Sequence, residues 1–183
     1  ASGLSCSLSH ELVCEYREYE RLSTTVLNAY VAPLMRRHLQ ALQRGVGPAS
    51  LRVLQSTGGA ISVKTAGREA VRTLLSGPAG GVRAGAAVAA ACGYPDAVTF
   101  DMGGTSTDVC LVRGGVPEPA PALTVGGFPI RLPALDIHTI GAGGGSIGWI
   151  DTGGLLRMGP QSAGADPGPA CYGKGGTLPA STD

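Results

Sequence analysis

The residues best suited to chemistry lie between positions 97 and 109. An apolar run, Ala97-Val98-Thr99-Phe100, ends in Asp101. Gly103 and Gly104 follow, then the hydroxyls Thr105, Ser106 and Thr107, then Asp108 and a second apolar run. A carboxylate at the end of a strand can orient a hydrated divalent cation. Two glycines let backbone N–H groups reach phosphate oxygens, because no Cβ stands in the way. Three hydroxyls add further donors. The competing reading is a plain β-hairpin with a Gly-Gly turn.

Two other glycine patterns invite a phosphate reading. Gly143-Gly144-Gly145-Ser146-Ile147-Gly148 has the GxGxxG spacing and follows a strand-like segment. What comes next, Trp149-Ile150-Asp151-Thr152-Gly153-Gly154, reads as strand and turn. The helix amino terminus that holds a pyrophosphate is therefore missing. A glycine nest beside some other phosphate fits better, through Gly143, Gly144 and Gly145. Gly168 to Lys174 has GxxxxGK spacing, but Gly175 stands where a metal-binding hydroxyl is needed, and neither a strand nor a helix flanks it. A surface loop is the better reading there.

Asp136 and His138 alternate with Leu135, Ile137 and Thr139, so they share one face of a strand and are weak candidates for a metal pair. Two ligands at this spacing with no third in view is a thin signal, and a buried Asp–His hydrogen bond competes with it. His10 and His38 read as surface or core-edge residues, and Cys110 as core. Ser76 opens a helix as a cap or, with Gly77 to Gly81, as an anion-accepting terminus. No side chain stands out as a nucleophile with a base partner.

These residues need elements to position them. Residues 97–101 and 108–112 read as a hairpin, with a third strand at 134–140. Helical spacing of Leu22, Val26, Ala29, Tyr30, Pro33, Leu34 and Leu42 predicts a helix from about 20 to 44, kinked at Pro33 and stopped by Gly45, Gly47 and Pro48. Residues 4–9 read as a short β-like piece and 11–20 as a solvated acidic stretch. A strand at 51–55 ends at Thr57-Gly58-Gly59. Residues 64–75 read as a short helix, and 78–92 as a helix of small residues that packs very close to its neighbour. Residues 116–126 read as coil, 128–132 as a strand, and 147–158 as a hairpin. From Gly159 onward the chain is turn-rich.

Composition sets the limits. The chain has 183 residues, 43% apolar and 15% charged, with a formal net charge of +1. That excludes general disorder and argues against nucleic-acid or membrane-surface partners, which call for a basic excess. No apolar run is long enough to span a bilayer, and the amino terminus lacks the features of a secretion signal. Five cysteines without a CxxC pair suit a reducing, cytoplasmic setting. Twenty of the 30 glycines follow Cys92, so the second half must hold many tight turns or close backbone approaches.

VTFDMGGTSTDV (98–109) resembles a phosphate loop of the actin, sugar-kinase and heat-shock-chaperone ATPases. Four blocks in order are similar to the hydantoinase A/5-oxoprolinase family: REYERLSTTVLNAYVAP (17–33), RTLLSGPAGGVRAGA (72–86), TFDMGGTSTDV (99–109), and LDIHTIGAGGGSIGWID with SAGADPGPACYG (135–173). The resemblance implies an α/β, ribonuclease H-like (actin-like ATPase) lobe, incomplete here, with a mixed sheet and flanking helices. Residues 1–48 would be a leading segment and a long inter-lobe helix, and 49–183 part of a second lobe. It implies ATP and Mg2+ as cofactors, a small cyclic amide such as a hydantoin or 5-oxoproline as substrate, and a hydantoinase B-type partner subunit. Asp101 would hold Mg2+ through water, with Gly103 to Thr107 and Gly143 to Gly145 beside the phosphates. Family members carry a second such loop on their first lobe. This chain has one, so by itself it is expected to be catalytically silent. A sugar- or acetate-kinase-like lobe and a non-catalytic regulatory module are the alternatives.

Overall fold

The structure, a computed structural model, describes residues 6–47 and 49–183. A short helix, α1 (Ser9–Leu12), leads into the 29-residue α2 (Glu18–Val46), which carries Pro33 inside it and ends at Gly47 with φ 62°. The β-like piece expected at 4–9 is not found in its described part, since Ser9 already opens α1; Leu4 and Ser5, like the expected stop at Pro48, lie outside the described residues. β1 (Arg52–Leu54) turns back through Thr57-Gly58-Gly59 into β2 (Ala60–Ser62), so these residues close a hairpin rather than end a lone strand. α3 (Val63–Arg68) and a 3-10 turn at Ala70–Thr73 replace the single helix expected at 64–75. α4 (Ser76–Ala91) follows, capped by Leu75 without a side-chain bond, so Ser76 is its first residue and not its cap.

β3 (Ala97–Met102) and β4 (Thr107–Arg113) form the expected hairpin. The segment expected as coil contains β5 (Val116–Pro117), β6 (Pro119–Ala120) and β7 (Leu123–Val125), the last paired with β8 (Phe128–Ile130). The predicted third strand divides. β9 (Ala134–Leu135) pairs with β6, and β10 (His138–Ile140) pairs with β4. β11 (Ser146–Ile150) and β12 (Leu156–Ser162) make the last hairpin. The central sheet runs β10-β4-β3, with β5 also on β4. The α/β class with flanking helices is as expected, and the strand pairs among the described residues run antiparallel.

Among the described residues, two apolar clusters pack the interior. One joins Leu12 and Val13 to Val71, Ile130 and Leu132, so part of the stretch read as solvated is core. The other joins Ala79 and Val82 of α4 to Cys110 and Leu135. α4 reaches the sheet so closely because it presents glycine. A Cβ on Gly85 would stand 2.8 Å from Thr99 Cγ2, and one on Gly81 would stand 3.5 Å from Asp101 Oδ2.

α2 docks by a different rule. Its expected apolar stripe, Leu22, Val26, Tyr30 and Leu34, is exposed, while Thr24 and Asn28 are buried, with only 0% and 1% of their surface exposed. Asn28 Nδ2 donates to Ser7 Oγ and to the Arg68 carbonyl (2.9 Å each), and its Oδ1 accepts from the Val71 amide (3.1 Å). Thr24 Oγ1 accepts from the Arg131 amide (2.9 Å). A saturated amide at a helix–core seam costs little to bury and fixes the register of the helix.

Candidate functional site

The β3–β4 register sets Asp101 directly opposite Asp108 and Met102 opposite Thr107. Gly103 N–H donates to the Ser106 carbonyl (2.8 Å), which closes the turn and leaves Gly103, Gly104 and Thr105 exposed at its tip. Alternation along β3 turns Thr99 and Asp101 toward α4. Both acids therefore border one cleft of about 320 Å3, lined by Pro78, Gly81, Gly85, Thr99, Asp101 and Asp108. Thr139 Oγ1 donates to Asp108 Oδ1 (2.7 Å), which orients that carboxylate. Like charges facing across a ladder repel, so a cation bridging toward an anionic ligand would relieve them.

The glycine run 141–146 lies against the tip of the hairpin, backbone on backbone. Gly144 N–H donates to the Gly103 carbonyl (2.9 Å) and Gly145 N–H to the Gly104 carbonyl (2.6 Å). Gly143 N–H donates to Ser146 Oγ (2.9 Å). Buried Thr107 donates through Oγ1 to the Ala142 carbonyl (2.6 Å). Only glycine allows this approach: a Cβ at position 143 would lie 2.6 Å from the Gly103 oxygen, and one at 145 would lie 2.8 Å from the Gly104 oxygen. The structure thus brings Gly103 to Thr107 and Gly143 to Gly145 together. The amides of the second set are engaged within the protein and are not turned outward.

Asp136 and His138 are not brought to this site. The chain changes partner between them: Asp136 N–H donates to the Glu118 carbonyl beside β6, while His138 starts β10 opposite Val109. Both side chains are exposed, so neither the shared strand face nor the buried Asp–His bond is present. Thr139, not His138, shares the face of Asp108. Among the described residues no three His, Cys, Asp or Glu side chains converge as a metal cage.

Two residues, Thr139 and Asp183, escaped the sequence reading, and a third, Ser146, entered it only as part of the glycine pattern. Thr139 had no motif to mark it. Ser146 is buried and holds the glycine run at Gly143. Asp183 accepts from the amides of Cys171 (2.7 Å), Ala180 (2.9 Å) and Ala170 (3.2 Å). Those bonds, led by Cys171, hold its carboxyl down at about 2, and the same carboxylate pushes the Cys171 thiol up. An acid amid glycines and small residues is the one signal that marks Asp183.

The hydantoinase/oxoprolinase family model matches residues 21–183. The alpha subunit of caprolactamase from Pseudomonas jessenii is 43% identical over 182 residues, 97% of this chain and 26% of that protein. The 5-oxoprolinase of Saccharomyces cerevisiae is 39% identical over 187 residues, 94% of this chain and 14% of that protein. The crystal structure of the ATP-dependent caprolactamase from Pseudomonas jessenii superposes with a TM-score of 0.77 at 42% identity, over 96% of this chain and 26% of that one. The chain therefore spans about a quarter or less of the relatives it matches. No helix among the described residues is long and apolar enough to cross a membrane.

Proposed function

Because the chain belongs to the hydantoinase/oxoprolinase family, we propose that it supplies one phosphate-holding side of an ATP-dependent enzyme that opens a cyclic amide of the hydantoin, 5-oxoproline or lactam type. The observation that carries this reading is the hairpin tip. Asp101 and Asp108 face each other at one cleft, and the exposed Gly104 and Thr105 stand beside them. In this reading the amides of Gly104 and Thr105 and the hydroxyls of Thr105 and Ser106 bind phosphate oxygens. Thr107 belongs to the frame beneath them, its hydroxyl already given to Ala142. Gly143, Gly144 and Gly145 are placed beside the nucleotide as the support of the loop.

Magnesium suits this donor set. It takes hard oxygen ligands and is commonly held by one or two carboxylates together with substrate phosphates and water. Asp101 and Asp108 offer such carboxylates without a full protein cage. When bound, the ion would neutralise phosphate charge at the transfer step. The residues of this chain hold and orient; no nucleophilic side chain is needed if ATP itself activates the amide oxygen and so makes a poor electrophile reactive.

Residues 49–183 then form part of a second lobe, with residues 1–48 leading in from between the lobes. The opposing lobe, a hydantoinase B-type partner subunit and the cytoplasm complete the proposal. The caprolactamase relative is itself described as one subunit. The test is Asp101→Asn in the full-length protein, assayed for ATP-dependent opening of hydantoin, 5-oxoproline and caprolactam. Turnover falls by about 10²-fold, since misplaced charge at a transferring phosphate is costly, while folding is kept because Asp101 is exposed. Full activity in that variant rejects the assignment.

A further inference from the structure

We propose that Ser146 is a positioning residue: through the glycine run it fixes which way two peptide units of the phosphate loop face. The proposal rests on the ATP reading above and goes beyond it, because it gives the 141–146 loop an indirect role in place of contact with phosphate. In a trans peptide, the carbonyl and the following N–H are coplanar and point in opposite directions. Gly144 N–H holds the Gly103 carbonyl, and Gly145 N–H holds the Gly104 carbonyl. The N–H groups of Gly104 and Thr105 are thereby turned away from the 141–146 loop, at a tip where both residues are exposed. If either carbonyl were released, its peptide unit could rotate and present oxygen to an anion instead of hydrogen. Glycine offers little resistance to that rotation.

The geometry traces the restraint to Ser146. Its Oγ accepts from Gly143 N–H (2.9 Å) and its own N–H returns to the Gly143 carbonyl (3.0 Å), so the two residues close one turn. That turn sets the direction of the Gly144 and Gly145 amides. The Ser146 carbonyl accepts from Ser181 N–H (3.0 Å). The Gly144 carbonyl accepts from both the N–H and the Oγ1 of Thr182. Three strips of backbone are stacked in this way, 103–104 on 143–146 on 180–182, and phosphate would touch the first alone.

The test measures two affinities by calorimetry, for ATP with magnesium and for adenosine, on the full-length protein and two variants. Ser146→Ala removes the hydroxyl that shapes the turn. Thr182→Val removes an exposed hydroxyl on the same strip and leaves its backbone bond in place. Ser146→Ala is expected to weaken ATP binding by about 10-fold, the worth of one hydrogen bond to a charged group, and Thr182→Val by about 3-fold. Adenosine affinity stays within about 2-fold in both, because only the phosphate-facing amides have lost their orientation. A general structural role would lower both affinities together. Equal losses for ATP and adenosine, or unchanged ATP affinity in a folded Ser146→Ala protein, overturn the proposal. Should Ser146→Ala fail to fold, unchanged ATP affinity in Thr182→Val overturns it. A wild-type protein that binds no ATP removes the ATP reading itself, and this proposal with it.

Discussion

The closeness of α4 to β3 can be tested through one methyl group. In Gly85→Ala, the new Cβ would meet Thr99 Cγ2 at 2.8 Å and Thr99 Cβ at 3.6 Å. Carbon atoms in contact sit at about 3.5–4.0 Å, so the helix must withdraw or Thr99 must turn. Thr99 is a poor choice to turn. It is β-branched, and its Oγ1 donates to the Cys110 carbonyl (3.3 Å). Overpacking of this kind costs about 1–3 kcal/mol. The same substitution recovers about 1 kcal/mol of helix propensity, since glycine is poor in a helix interior. The net expectation is a loss of about 1 kcal/mol in urea unfolding. Thr99→Ser removes Cγ2 and keeps the hydroxyl, so in that background Gly85→Ala should become neutral or stabilising. The coupling in the double-mutant cycle should therefore be at least about 1 kcal/mol. A Gly85→Ala protein that is more stable than wild type in both backgrounds would refute the packing argument.

Two further expectations concern polar groups in the seam below α2. Burial opposes ionisation of Glu69, but the bonds from Arg68 (2.5 Å) and Arg72 (2.6 Å) outweigh it and hold the carboxyl below the ordinary glutamate range. A depressed acid stabilises above its unfolded pKa, about 4.3, and that contribution is lost as pH falls through the lower folded value. Glu69→Gln should thus cost about 2 kcal/mol at pH 7, with the gap to wild type closing below about pH 4 in urea titrations at several pH values. Asn28→Ala would strip the partners from the Val71 amide and the Arg68 carbonyl and should cost about 3 kcal/mol by the same assay; a loss under about 1 kcal/mol would mean that water replaces the side chain.

How far the sequence speaks depends on which physical signal each element leaves. The β3–β4 hairpin was legible because two apolar runs flank a glycine turn, and the match of Asp101 to Asp108 follows from counting outward from that turn. α2 was legible as a helix but not in its orientation. Periodicity marks which residues are apolar, not which surface is available to bury them. The partners of Thr24 and Asn28 lie as far away as Arg131, a separation that no local pattern encodes. The 134–140 strand looked continuous because alternation of side chains does not record a change of backbone partner between Leu135 and His138. In the glycine run, the density of glycine signalled a close approach, but what approaches is another stretch of this chain.

The stacked strips have a consequence for synthesis. The hairpin tip emerges from the ribosome with Gly103 and Gly104, but the residues that orient it arrive later, first Gly144 and Gly145 and then Thr182, about 80 residues behind. At roughly 5–20 residues per second, the tip waits several seconds as a flexible glycine turn with its carbonyls unheld. The tip is therefore the last part of its own hairpin to have both carbonyls held.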